Sequence, residues 1–331
     1  MLFKHTTELP VIYKFSLVLK YNSCMNKLTI LCYHGIVDDV LNGFNSSGKH
    51  LHLAHFKKQM EYVADNYQII TMMDVENFYQ GKTSLPKKSV AITFDDGYAN
   101  NYKIAHPILK NLGLKATLYL ATGYIGKNKL MWTDKLELAI LNMTCKNFWL
   151  NLNTKRFFDV STLNNKVISL TLIKKYLKKL PTENVLSILN EIFKYAGNYE
   201  KLITEDLHKF LSWDEVKFMH SSGTWEIGAH TVDHFSLGAL TPANGIEQIT
   251  RSISDIKKVL NTKEPVLFSY PEGLKFDMPK YSVDYLNEIG LNSAPSALAG
   301  TNYLSKLYPG NRMCLKRILV GFESFNFPWK I

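Results

Sequence analysis

Two adjacent carboxylates, Asp95 and Asp96, in the run Ala91-Ile92-Thr93-Phe94-Asp95-Asp96-Gly97-Tyr98 are the side chains best placed by type and spacing to do chemistry. Side chains on a strand alternate between its faces, so neighbouring carboxylates can share a pocket only where the strand gives way to a loop, and Gly97 marks that point. One carboxylate can then bind a cation while the other stays free to move a proton. Far downstream, His230 and His234 stand four apart in His230-Thr231-Val232-Asp233-His234. That spacing puts both imidazoles on one side of a helical turn or tight loop. The preceding Trp225-Glu226-Ile227-Gly228-Ala229 reads as a short buried strand that feeds them. Two histidines and one aspartate suit zinc or a similar divalent ion and leave positions open for water and substrate, the catalytic arrangement rather than the closed structural one. Asp-Asp-Gly alone is ordinarily a turn, and a histidine pair alone an exposed helix face. Their joint occurrence, each at a strand exit, argues for a site.

These side chains need a scaffold that brings strand ends together. Apolar runs near 28–33, 90–94, 116–120, 225–229 and 266–270 alternate with helical stretches at 56–66, 101–112 and 243–260, which predicts a parallel sheet or barrel lined by helices. Ser212 followed by Glu215 is a capping box opening a helix that Gly223 closes. The candidates then fall at strand C-terminal ends, the mouth of an α/β barrel. Leu28-Thr29-Ile30-Leu31-Cys32-Tyr33-His34-Gly35 is another apolar strand ending in a polar residue and a glycine. Residues 133–210 differ in character, being rich in Asn, Lys and Leu. Residues 172–180 are apolar at helical spacing with Lys174, Lys175, Lys178 and Lys179 on the other face, and a second amphipathic stretch follows Pro181 over 182–195. The interval is expected to be a mostly helical insertion at the mouth.

Composition bounds the remaining possibilities. With 331 residues and 46% hydrophobic content the chain can build one large core or two small domains. Nothing approaches the roughly 20 apolar residues needed to cross a bilayer. Val11-Ile12-Tyr13 and Phe15-Ser16-Leu17-Val18-Leu19 are broken by Lys14 and followed by Lys20, unlike a signal peptide. The expectation is a cytoplasmic protein with peripheral contact at the inner face of the membrane as a secondary prospect. Met25 stands just before the first strand, so residues 1–26 are read as an N-terminal extension and 27–331 as a single domain. Cys24, Cys32, Cys145 and Cys314 show no paired or metal-binding spacing, which suits a reducing compartment. The net charge of +10 is spread along the chain without any zinc-finger, RNA-binding or helix-turn-helix pattern, so no nucleic-acid partner is expected. An anionic carrier or membrane surface would exploit the same charge, although a helix such as 172–180 more often turns its apolar side to a core. Nothing in the sequence sets the oligomeric state.

The whole resembles the polysaccharide deacetylases of the NodB-homology type, carbohydrate esterase family 4. Thr93-Phe94-Asp95-Asp96-Gly97-Tyr98 with Asn101 is similar to the family's first motif, and His230-Thr231-Val232-Asp233-His234 to its second. Blocks at 106–110, 113–120, 211–216 and 268–273 follow in the family's order, so the resemblance covers roughly 28–130 and 211–320. It implies an α/β fold, the distorted, incomplete (β/α) barrel of about seven strands, with the helical insertion between two family-like blocks. It also implies a divalent metal, zinc first with cobalt or nickel as alternatives, on Asp96, His230 and His234, with Asp95 as base. The substrate implied is an N-acetylated amino sugar, on which Trp132, at the edge of the insertion, is placed to stack.

Three departures from the family pattern bear on activity. Ser269 stands where many relatives have an arginine that orients the catalytic aspartate, so no arginine is expected there. In Tyr270-Pro271-Glu272, Glu272 replaces an aromatic residue whose backbone N–H faces the oxyanion; the donor survives but a carboxylate enters the pocket. No histidine follows His234, so the acid that protonates the leaving amine is assigned to His34. Tyr33-His34 resembles the Tyr-His motif of the circularly permuted deacetylases. His34 is expected across the site from Asp95 and protonated at working pH. Two other readings stay open: a sugar-binding module that has lost turnover, and a hydrolase of a formyl or O-acetyl group.

Overall fold

The computed structural model describes residues 26–38, 45, 48–305 and 310–321. The extension over 1–25, with Cys24, lies outside the described residues, and Asn26 already belongs to the first strand. The chain begins with β1 (Asn26–Tyr33), β2 (Gly35–Val37), β3 (His50–His52), α1 (Leu53–Asn66), β4 (Gln68–Ile70) and α2 (Met72–Tyr79). Then come β5 (Lys88–Phe94), a π-helical turn (Asn101–Ala105), α3 (His106–Asn111) and β6 (Ala116–Leu120). The next region holds α4 (Trp132–Asn142), β7 (Asn147–Leu152), β8 (Thr154–Asp159), α5 (Leu163–Leu177), α6 (Thr182–Phe193) and the single turn α7 (Glu205–His208). The chain closes with α8 (Trp213–Ser221), β9 (Trp225–Ala229), α9 (Pro242–Leu260), α10 (Lys280–Glu288), β10 (Pro295–Ala299), β11 (Asn302–Leu304) and β12 (Leu315–Leu319).

The strands order as β10-β12-β1-β5-β6-β9, every neighbouring pair parallel, with β4 also parallel to β5 and β11 antiparallel to β1. The path does not close, which is the incomplete barrel expected. Residues 266–270 contribute a single parallel bridge, Ala229 to Phe268, beside β9 rather than the full strand their apolar run suggests. Strand alternation divides the core. Leu31, Tyr33, Ile92, Phe94 and Leu118 face the helices, packing with Phe56 and Met60 of α1, Val216 of α8 and Ile249 of α9. Leu28, Ile30, Ala91 and Tyr119 face inward, where Met72, Val75 and Phe78 of α2 join them. Each fully buried side chain of this size contributes about 1.5–3 kcal/mol, so the strand ends stand on a rigid base.

The insertion has its own core, built from residues such as Leu136, Ile140, Phe148, Leu150, Ile173 and Ile192. It is less helical than expected, because β7 and β8 pair as an antiparallel hairpin. The strict alternation of exposed and buried residues in Asn147-Phe148-Trp149-Leu150-Asn151-Leu152 is a half-buried strand pattern. The four lysines of 172–180 do not share one face either. Ile173 and Leu177 point into the insertion core, Lys178 pairs with Glu272 of the barrel, and Lys175 and Lys179 line the outer surface.

Candidate metal centre and active site

Register brings the site together. β1 pairs with β5 as Tyr33↔Phe94, so His34 and Asp95 leave the sheet side by side, with Asp95 N–H donating to the Tyr33 carbonyl at 2.9 Å. β6 pairs with β9 as Leu120↔Ala229, and His230 N–H donates to Leu120 O at 2.8 Å. The chain then turns sharply. Asp96, Thr231, His234 and Glu272 have φ of 74°, 63°, 55° and 61°, a left-handed conformation that costs a non-glycine residue on the order of 1 kcal/mol. Such strain persists only where surroundings enforce it. Val232 and Asp233 N–H both donate to Gln248 Oε1, at 3.1 and 2.9 Å, and His234 N–H donates to Thr231 Oγ1. The two histidines thus sit in a tethered loop, the second of the two settings their spacing allowed.

Asp96, His230 and His234 offer ligand atoms that lie within 4.8 Å of one another, all buried. His234 Nε2 is 3.3 Å and His230 Nε2 3.9 Å from Asp96 Oδ1, yet that oxygen has no hydrogen-bond partner. His230 Nδ1 lies 2.8 Å from the Ser269 carbonyl, to which it must donate, so its Nε2 presents a lone pair to the centre. Zinc–nitrogen and zinc–oxygen bonds of about 2.0–2.2 Å in tetrahedral array set ligands about 3.3 Å apart, close to these spacings. The residues therefore fit a divalent cation. Burial pushes the Asp96 carboxyl up to about 7, against the opposing pull of His230 and Lys49. Burial also lowers both histidines from their ordinary value, keeping the imidazoles neutral and able to ligate.

Asp95 is held differently. Burial alone would raise its pKa, but Arg317 Nη1 and Nη2 donate to its two oxygens at 2.9 and 2.7 Å, and the guanidinium, with His230, drives the carboxyl well below the usual carboxylate range. Arg317 is 1% exposed. It projects from β12, whose pairing with β1 (Leu31↔Ile318) aligns it along the inner face toward Thr93 and Asp95. The expectation that no arginine orients this aspartate is thus overturned: Ser269 contributes its carbonyl to His230, and Arg317 supplies the fork from another strand. The signal available in the sequence is a lone arginine inside the apolar strand Leu315-Lys316-Arg317-Ile318-Leu319, since an arginine there can be buried only against a carboxylate.

Cys32 and His34 complete the neighbourhood of Asp95. The Cys32 thiol donates to Asp95 Oδ2 at 3.5 Å, and burial raises its pKa well above the usual thiol value, so it is no nucleophile. Cys32 Sγ, a His34 ring nitrogen and an Asp95 oxygen lie within 4.8 Å of one another. A second cation is disfavoured there, because Arg317 already occupies both Asp95 oxygens. His34 therefore lies beside Asp95, not across the site from it. Burial, outweighing the pull of Asp95, pushes its imidazole down to about 3, which corrects the expectation of a resting imidazolium.

The insertion reaches the site through two charge pairs. Lys49, just before β3, pairs with Asp134 of α4 and donates to Tyr98 Oη at 2.7 Å, while Tyr98 Oη donates to Asp134 at 2.9 Å. Lys178 pairs with Glu272, so the carboxylate in the Tyr270-Pro271-Glu272 turn is neutralised from the insertion. Tyr270 N–H is already bonded to Pro295 O, and proline has no N–H, which leaves Glu272 as the turn's backbone donor. Trp132 does not fit the sugar-stacking expectation. It is 5% exposed, and Phe235 covers its ring, with centroids 6.1 Å apart and planes 3° apart.

Residues 82–294, well over half of the chain, match the family model described as polysaccharide deacetylase. The Bacillus subtilis (strain 168) protein YxkH, whose name refers to the same family, is 38% identical over 117 residues, 34% of this chain and 39% of that one. The poly-beta-1,6-N-acetyl-D-glucosamine N-deacetylase of Staphylococcus aureus is 27% identical over 151 residues, 45% of this chain and 49% of that one. The chain thus spans between about two fifths and one half of the length of these curated relatives. Among solved structures, IcaB from Ammonifex degensii aligns with a TM-score of 0.56 at 18% identity, over 89% of this chain and 92% of that one. The Streptococcus pyogenes deacetylase PplD, in complex with acetate, aligns with the same TM-score and identity over 89% and 93%. At that identity the two structures speak for the fold, while the sequence match takes in both aspartates and both histidines, and together they make this chain a member of the polysaccharide deacetylase family.

Proposed function

We propose that the protein is a metal-dependent deacetylase that removes N-acetyl groups from an amino sugar in a glycan. The observation that carries this reading is the buried convergence of Asp96, His230 and His234, with Asp96 Oδ1 left without a hydrogen bond, beside an ionised carboxylate gripped by arginine. A divalent ion on those three ligands, zinc by preference, would acidify a bound water and polarise the acetyl carbonyl. Asp95 accepts the proton as the water oxygen bonds to the acetyl carbon. Arg317 fixes which way that carboxylate points and keeps it ionised until then. The Glu272 N–H donates to the oxygen on which charge develops. His34 rests neutral beside Asp95, so it becomes an acid only by taking over the proton that Asp95 has received. It then delivers that proton to the nitrogen as the C–N bond breaks, leaving acetate and a free amine.

Arg317 weakens the case for a module without turnover, because it orients Asp95 in place of the arginine absent at position 269. The name of the Staphylococcus aureus relative supports an N-acetylglucosamine-containing substrate. The test is acetate release from N-acetylglucosamine oligomers by metal-loaded protein. Metal-dependent acetate release that Asp95→Asn abolishes is the expected result. Release of formate from N-formyl oligomers, or of acetate from O-acetylated ones alone, would overturn it.

A further inference from the structure

Helix α5 and the turn that follows it carry charge on two sides. Lys178 turns toward the barrel and Glu272. On the opposite side Lys175 and Lys179, together with Arg156 of β8, line a groove of about 530 Å³ between α5 and the β7–β8 hairpin. None of these three cations has an acidic partner among the described residues. The one acid lining the groove, Asp159, is held by Ser161 N–H and Asn165 Nδ2 at 2.8 and 3.0 Å. The groove floor and lip are apolar and open to water: Phe157, Ile168 and Leu172 are 54%, 49% and 56% exposed. Trp149, 48% exposed, packs edge-on against Phe157 at 5.4 Å between ring centroids, and Lys155 Nζ lies 5.3 Å from the Trp149 ring. Folding does not explain these residues, because the insertion core is complete beneath them in Phe148, Leu150 and Ile173.

We infer that this outer face of the insertion docks on an anionic lipid bilayer. Exposed aromatic and aliphatic side chains rimmed by unpaired lysine and arginine are what a headgroup boundary accepts: the apolar groups enter the acyl edge while the cations meet lipid phosphates. Charge decides among the occupants. A second copy of the chain would set like-charged faces together, and, on the functional reading above, the deacetylated product is itself a cation. Because Lys178, which caps the same helix, pairs with Glu272 in the site, docking would tether the catalytic domain to the bilayer that carries its glycan.

The test is co-sedimentation of the whole protein with phosphatidylcholine vesicles with and without phosphatidylglycerol. Binding should require the anionic lipid and weaken with salt. Each basic residue near such a surface contributes about fivefold in partition, so Lys175→Glu with Lys179→Glu should weaken binding by at least about twentyfold. Phe157→Ser with Leu172→Ser should weaken it as well. Lys57→Glu with Lys58→Glu on α1, the same change in net charge, should have a much smaller effect. Equal loss in the two lysine pairs, equal binding to neutral vesicles, or no binding at all would overturn the inference. So would self-association of the chain that the groove variants abolish. Acetate release does not enter this readout, so a protein that binds vesicles but deacetylates nothing would overturn the functional reading alone.

Discussion

Arg317 grips both oxygens of Asp95, at 2.9 and 2.7 Å, across 222 positions of sequence and from a strand that does not neighbour Asp95's own. Both groups are almost completely buried, so each compensates the other's charge. Breaking such a pair leaves an uncompensated buried charge, a loss of about 3–5 kcal/mol. Arg317→Gln should therefore lower stability by about that much and turnover by on the order of a hundredfold, with bound metal unchanged. Combining Arg317→Gln with Asp95→Asn should restore much of the stability but none of the activity. A double variant no more stable than Arg317→Gln alone, measured by denaturant midpoints, would argue that Arg317 serves another partner.

Asp95 and Asp96 are neighbours with different roles, and substitution should separate them. Asp95→Asn removes a proton acceptor and should abolish turnover while metal stays bound. Asp96→Asn removes a ligand and should cost metal affinity as well. Metal analysis showing equal loss in both variants would contradict the division.

Asp96 also predicts how pH governs the metal. Its carboxyl, raised by burial to about 7 from 3.8, contributes stability to the metal-free protein that is full below about pH 4 and is lost as pH rises through about 7. The cation must displace that proton, because burial already keeps His230 and His234 neutral. Metal affinity should rise by about tenfold per pH unit between about pH 5 and 7 and level off above. Calorimetric titration giving a flat affinity across that interval would contradict this.

His34→Gln should cost on the order of a hundredfold in turnover, the scale of a lost acid, with metal retained. Because burial holds the imidazole at about 3, His34 should not set the alkaline limb of the rate profile. If that limb disappears in the variant, His34 rests protonated in the working enzyme.

Local chemistry made the site's near half legible. Asp95, Asp96, His230 and His234 stand at strand exits whose apolar runs and turn residues are contiguous in sequence, and the parallel sheet converges those exits at one edge. The far half depended on long-range pairing. Arg317 sits in the short strand β12, whose neighbours β1 and β10 are fixed by tertiary packing, and nothing local says which carboxylate it meets. The roles of Lys178 and Trp132 were illegible for the same reason. One turns on how the insertion docks on the barrel, the other on Phe235 arriving from the histidine loop to cover the indole.

The central claim is that Asp96, His230 and His234 hold the cation on which deacetylation depends. It is tested most directly by measuring bound divalent metal and acetate release side by side in the wild-type protein and in His230→Ala, His234→Ala. The account predicts one bound ion and chelator-sensitive acetate release in the first, and loss of both in a variant that still folds. Full metal occupancy in the double variant, or acetate release that a chelator leaves untouched, would contradict it.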